Sequence, residues 1–516
     1  MTSGAAPGAT TGATPGPADD ATAGRTAGPD AGERVAATTA LGTRPVGRLL
    51  WHACTQTTLS VGVYGVYALT NAWFVARGVG PTAVAAVNLV APLLLALGAL
   101  ATALGVGAAS VVSRRLGAGD AAGAARATGN AFTVFWLAAL ATTGVGLTFL
   151  DPLLHALGAR GATLPYARDY AVVVLAGAIV STGFSAVVRA EGRLRFSVLL
   201  WVVPVVVQIV LDPLLIYGAG LGVRGAALGT VGGQAVSAAM SVWFFFLQRG
   251  RPYRVRAADL RPHAPTVGTL LGIGSPSFLA GAGTTLLVVV VNTGLARTAG
   301  AAALAAYAIC ARLQTFVQMP QLGISQGMQP VVGYNAGAGL TARTWRARVL
   351  TLRATLLYGL LVGVATAALA QPVVWVFVDA GPTRTAAVDA LRVLAVGFAA
   401  AGVSPLVAAY FQALGRPRPA YLLALGTLAV VKVPLVLGLG AVGPTGTWVA
   451  LAAGEVVGAV VALVVLRLRD PLRGVADEPT GDRAAGDEPA GDEAAGDEPA
   501  GDEPAGDEPA GATASV

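Results

Sequence analysis

Asp212 stands inside an almost wholly apolar run, WVVPVVVQIVLDPLLIYGAGLGVRGAALGTV, over residues 201–231. Gln208 lies four residues earlier, so on a helix the two side chains share a face. Pro213 follows directly; it lacks an N–H and disfavours helical geometry at Asp212. A carboxylate at the centre of a lipid-embedded helix costs roughly 2.5–3.5 kcal/mol. Two readings follow: Asp212 ends a kinked helix near the headgroups, or it binds a proton or a cation. A second set of charges lies in LAVVKVPLVLGLG, around Lys432, the only lysine, and in VALAAGEVVGAVV, around Glu455. At 1.5 Å per residue Lys432 is roughly 12 Å and Glu455 roughly 16 Å inside neighbouring antiparallel segments. Alone each is an expensive charge in lipid; paired they cancel. A Lys432–Glu455 contact is therefore predicted, either as a fixed ion pair or as a proton relay. Arg312, roughly 18 Å deep, is the competing partner for Glu455. It is held by carbonyls or an acid, or it lines a cleft and sets the charge of what enters. Gln314 and Gln318 are four apart and share a face, which makes them candidate linings. Tyr64 and Tyr67 can stack on planar cations or anchor a helix end at the interface.

Composition says what carries these residues. The chain has 516 residues, 55% hydrophobic and 12% charged, with a mean hydropathy of +0.67. That is a polytopic membrane protein. Cys54 and Cys310 lie in apolar stretches and His52, His155 and His263 are scattered, so neither a disulfide framework nor a metal site is expected. The sequence has no phosphate-binding GxxxxGK[ST], no nucleophile elbow and no HExxH. A membrane enzyme or a non-transporting sensor is thus the weaker rival reading. From Asp470 onward 14 acids face 2 arginines, a balance of −12, which leaves +19 on the rest of a chain whose net charge is +7. A basic body of this kind means arginine-rich cytoplasmic loops, not nucleic-acid binding.

The sequence predicts an all-α integral membrane protein with twelve spans, near 49–74, 82–112, 127–150, 164–188, 196–217, 223–248, 265–294, 300–327, 349–377, 387–413, 419–440 and 445–466. With the N-terminus inside, cytoplasmic loops hold 21 arginines and outer loops 7, which puts both termini in the cytoplasm. Residues 1–44 and the GDEPA repeats of 471–516 cannot build a core and are expected to be disordered. Between them lie two halves, 45–262 and 263–470, offset by 220 to 223 residues. Asn71 matches Asn292, GAGD at 117–120 matches GAGL at 337–340, and AEGRLR at 190–195 matches ALGRPR at 413–418. Pro213 matches Pro434, and Gly222 with Gly225 matches Gly443 with Gly446. Six spans per half insert the same way up, so the halves are parallel repeats. They predict two pseudo-symmetric six-helix lobes enclosing a cleft with alternating access.

Four segments in order resemble the multidrug and toxic compound extrusion transporters: SRRLGAGD at 113–120, LDPLLIYGAGLGVRGAALGT at 211–230, PQLGISQGMQPVVGYNAGAG at 320–339 and YFQALGRPRP at 410–419. The resemblance covers about residues 45–470. It implies a V-shaped bundle in the bacterial cytoplasmic membrane that exports organic, often cationic compounds in exchange for protons or sodium ions. No other cofactor is implied; the expected partners are small organic solutes and the bilayer, with the chain a monomer. Many members build an N-lobe cation site from an Asp in the first span, an Asn and Asp four apart in the fifth, and a Thr in the sixth. The matching positions here are Asn71, Gln208, Asp212 and Thr230, so one carboxylate is gone. A compact sodium site wants several oxygens and negative charge, whereas a single carboxylate is neutralised by one proton; a proton is therefore favoured. The acids that some members carry in the seventh and tenth spans are missing around Thr284 and Ser404. A lipid-linked oligosaccharide flippase of the same superfamily is the alternative, and twelve spans in place of fourteen count against it.

Overall fold

The computed structural model describes residues 37–472 apart from 181–183 and 249; the side chains at 64, 67–69 and 72 also fall outside the description. No strand occurs among the described residues. Twelve long helices carry the fold: α1 (Val46–Gly78), then α2 (Pro81–Gly117), α3 (Ala121–Thr148), α4 (Thr163–Ala190), α5 (Leu194–Gly218), α6 (Gly222–Leu247), α7 (Ala264–Thr298), α8 (Gly300–Gly337), α9 (Thr341–Ala368), α10 (Pro382–Ala413), α11 (Pro417–Gly440) and α12 (Pro444–Arg469). Of these, α2 to α12 are long and apolar enough to cross a membrane. Matching turns recur in the two halves. Gly119 after α2 and Gly339 after α8 take φ of 75° and 73°, the left-handed region that favours glycine.

The two lobes, α1–α6 and α7–α12, interlock at one end. Four apolar clusters show how. At the end where α1 and α7 begin, the N-lobe core takes in Leu270 and Ile273 of α7, and the C-lobe core takes in Val46, Leu49 and Leu50 of α1. At the other end each core keeps to its own lobe. Glycines bring the lobes together at the shared end. A Cβ at Gly107 would lie 2.1 Å from the Leu270 carbonyl oxygen, and one at Gly274 would lie 2.0 Å from that of Ala103. Gly117 and Gly337 make the same close approach between α2 and α8, at 2.0 Å each. We call this the closed end. Towards the other end Asn88, Pro92 and Leu95 of α2, Asn292 of α7 and Arg312 and Phe316 of α8 are exposed, and no apolar cluster of the described residues joins the lobes, from which we infer a cleft between them.

Three expectations need correction. Residues 37–43 are helical, not part of a disordered lead. Their helix seals the closed end: Thr38 Oγ1 donates to the Glu191 carbonyl at 2.8 Å, and Asn335 Nδ2 donates to the Leu41 carbonyl at 3.0 Å. Second, α8 continues to Gly337 and α9 begins at Thr341 and ends at Ala368, followed by a short helix, Ala370–Trp375. Hydropathy marks only the lipid-embedded part of a helix, and the arginines at the start of α9 ride on it outside the bilayer. Third, Asn71 is buried and Asn292 exposed, so they do not face alike. Val291, fully buried, is the better match in burial.

A buried charge cluster fixes the connection from α6 to α7. Glu191, fully buried, pairs with Arg251 and accepts from Tyr253 Oη. The Arg251 guanidinium sits 4.6–4.7 Å from the ring centres of Phe244, Phe245 and Tyr253. Burial, and then the Glu191 charge, hold the Tyr253 phenol well above its usual range, so it remains a donor. Asn130 takes the same connection from the other side, donating to the Asp259 carbonyl at 2.9 Å and accepting from His263 N at 2.7 Å.

The glycine contacts give a test. Gly274→Val should destabilise the protein by about 1–3 kcal/mol, the usual range for overpacking. Gly62→Val should have no such effect, since no atom lies within 4 Å of a Cβ built there. Thermal unfolding in detergent compares the two, and equal melting temperatures would refute a glycine-sealed interface.

Candidate functional site

Asp212 is the penultimate residue of the α-helical part of α5, which ends at Pro213 and is followed by a π-helical turn over Leu214–Gly218. Such turns widen the helix and mark functional positions in many proteins. Asp212 is 1% exposed and faces into the N lobe. Asn71 Nδ2 of α1 donates to its Oδ2 at 3.2 Å. Gln208, one turn earlier, donates to Thr230 Oγ1 of α6 at 3.1 Å, and Thr230 donates on to the Ala226 carbonyl at 3.0 Å. The structure thus brings together all four residues singled out from the sequence. Asp212 Oδ1 has no hydrogen-bond partner among the described residues. Sequence reasoning missed Gly229. A Cβ there would lie 2.1 Å from Asp212 Oδ1, so only glycine leaves that oxygen its room.

Chemically, this is one carboxylate with one oxygen tied to an amide and the other free to take a proton. The neighbouring oxygens are amide and hydroxyl oxygens. They supply no second charge, which a hard cation held by protein oxygens ordinarily finds. No cluster of three or more His, Cys, Asp or Glu residues that could hold a metal occurs among the described residues.

In the C lobe, Lys432 ends a π-helical stretch, Leu422–Lys432, within α11. Its Nζ donates to Glu455 Oε1 of α12 at 2.7 Å. The expected contact is therefore formed, and its side chains are 24% and 16% exposed. Arg312 does not compete for Glu455: it is exposed, and it pairs with no described residue. Gln314 and Gln318 are half-buried beside it on α8. The side chains of Tyr64 and Tyr67 lie outside the described residues.

Two further residues join the lobes at the closed end. Arg189, one residue past the expected end of the fourth span, is buried, and its Nη2 donates to Gln326 Oε1 of α8 at 3.1 Å. Gln412 donates to the Ile273 carbonyl at 2.8 Å, and its own carbonyl accepts from Ser110 Oγ at 2.5 Å. A signal for both was present: they directly precede the matched segments AEGRLR and ALGRPR.

Known proteins resemble this chain in sequence and fold. The MatE family profile matches residues 58–214 and 276–437. The "Multidrug export protein MepA" of Staphylococcus aureus is 27% identical over 437 residues, 83% of this chain and 95% of that protein. The "FAD transporter" of Shewanella oneidensis is 24% identical over 399 residues, 76% of this chain and 87% of that protein. Among solved structures, a MOP superfamily transporter from Pyrococcus furiosus, described as having a binding pocket of reversed polarity, superposes with a TM-score of 0.78 at 25% identity. It covers 84% of this chain and 97% of its own. With two matched repeats, twelve helices in two lobes and relatives that align along nearly their whole length, the chain belongs to the MatE family of multidrug and toxic compound extrusion transporters.

Proposed function

We propose that this protein is a secondary active exporter of organic compounds driven by a proton that enters at Asp212, not by sodium. The carrying observation is the buried Asp212 with Oδ1 unpartnered. A proton on Oδ1 neutralises a charge that lipid and protein solvate poorly, while the Asn71 bond to Oδ2 stays in place. With the arginine-rich closed end in the cytoplasm, the cleft faces outward. In that state Asp212 takes its proton from outside, the N lobe repacks around a neutral carboxyl, and cargo leaves the cleft. The protein then sits in the bacterial cytoplasmic membrane with both termini inside and works as a monomer. Lys432 and Glu455 serve as a fixed ion pair that holds α11 to α12.

Everted vesicles test this. A pH gradient alone should drive dye uptake, and a sodium gradient alone should not. Asp212→Asn should reduce uptake to the level of empty vesicles while the protein melts with the wild type; normal transport by this variant would remove Asp212 from the mechanism. Gly229→Ala should impair coupling with the carboxylate still present, because the new methyl meets Oδ1.

The C-lobe pair has its own check. Lys432→Met should destabilise by about 3–5 kcal/mol by leaving Glu455 uncompensated. The Lys432→Met, Glu455→Met double variant should recover most of that loss and keep proton-driven transport. A stable double variant without transport would make the pair a relay.

A further inference from the structure

The charge of the cleft follows from four helices. α1 and α2 of one lobe face α7 and α8 of the other, and none of the four carries an aspartate or glutamate. Arg312 lies on α8 with Met319 and Gly323 two and three turns further on, on one face. Those two residues meet α1: a Cβ at Gly65 would lie 3.2 Å from the Met319 methyl, and one at Gly323 would lie 2.2 Å from Thr58 Oγ1. Arg312 therefore points at the N lobe, above the level where the lobes part, and it is exposed.

Nearby charges do not cancel it. Asp212 is buried inside the N lobe and bonded to Asn71. Glu455 is taken by Lys432. Asp389 of α10 is exposed, two residues from both Ala387 and Leu391, which are fully buried, so it stands on the opposite side of its helix. The exposed polar side chains Asn88, Thr284, Thr285, Asn292 and Thr315 on the facing helices are neutral. An arginine with low-dielectric walls and no acid in reach repels cations and draws anions. Its planar guanidinium forks onto carboxylate, sulfonate or phosphate oxygens in two parallel bonds.

We propose that Arg312 makes this cleft a site for organic anions, so that the exported compounds carry a carboxylate, sulfonate or phosphate group. This rests on the exporter reading above, and it departs from the cationic cargo that the family resemblance implies.

Two xanthene dyes of opposite charge, carboxyfluorescein and rhodamine 6G, separate the possibilities. Binding to the purified full-length protein is read by fluorescence polarisation, and transport by uptake into energised everted vesicles. The wild type should bind carboxyfluorescein at least about tenfold more tightly than rhodamine 6G, the effect expected of one charge-assisted bidentate contact. Arg312→Gln should remove that preference, Arg312→Lys should retain part of it, and Arg312→Glu should reverse it. Added salt should weaken carboxyfluorescein binding. Wild-type protein that prefers rhodamine 6G, or binds neither dye, overturns the proposal, as does an Arg312→Gln variant with unchanged preference. If carboxyfluorescein binds through Arg312 but no gradient moves it, the exporter reading fails and the anion site stands.

Discussion

A bilayer offers no water to solvate a charge, so each ionised side chain in these helices must be met by protein or reach a wet surface. Several charges on the long helices obey this in pairs. Glu455 meets Lys432, and Arg348 of α9 meets Asp470 just beyond α12. Arg189 is surrounded by hydroxyls and an amide from Ser185, Ser197 and Gln326. Two groups stand apart in different ways. Asp212 is buried with one oxygen unpartnered, and Arg312 is unpaired but exposed. The first is a charge that can be removed by a proton. The second is a charge that can be completed by a ligand. Both lie on the side of the molecule where the lobes part, which is where a transporter needs them.

The closed end obeys a different constraint. α7 begins in the core of the lobe it does not belong to, and α1 does the same in reverse. Opening this end means withdrawing Leu270 and Ile273 from one core and Leu49 and Leu50 from the other, at about 1.5–3 kcal/mol for each side chain left exposed. The backbone-to-backbone approach at Gly107 and Gly274 adds dispersion contacts that vanish with small separations. Polar bonds from Arg189, Gln412 and Asn335 sit around this seam. The cleft end has no equivalent shared core, so the two ends differ in how firmly they are held.

Much of this was legible in the chain. Long apolar runs give the spans because lipid imposes a length. The repeat gives the lobes because an even number of spans inserts each half the same way up. Charges in apolar runs are rare enough that Asp212, Arg312, Lys432 and Glu455 could be singled out one by one, and depth along antiparallel helices placed Lys432 against Glu455. The failures have physical causes too. Helices outlast their apolar part, so α8 and α9 ran past or started before their expected limits. Residues 37–43 carry three threonines and no long apolar run, and they are held by Glu191 and Asn335, which are remote in sequence. Gly229 bears no chemistry of its own; its importance comes from an oxygen on another helix. Asn71 and Asn292 align in sequence, but a shift of one residue turns a helical side chain by about 100° and moves it from the lobe interior to an exposed face.

That last difference shows what the two halves have done with one scaffold. Asp212 of α5 and Lys432 of α11 lie 220 residues apart, each beside a proline and a π-helical segment, and each facing the last helix of its lobe. The N lobe puts Gly229 opposite its charge and so leaves an oxygen open. The C lobe puts Glu455 opposite its charge and so closes it. A proton on the free oxygen of Asp212 removes the charge without breaking the Asn71 bond, so the site can accommodate both forms. A lysine already bonded to a carboxylate has one preferred state, since losing either charge strands the other. One lobe can therefore change its internal charge while the other holds constant. In the proton-driven mechanism proposed above, that asymmetry lets a proton act on a two-fold scaffold without moving both halves alike.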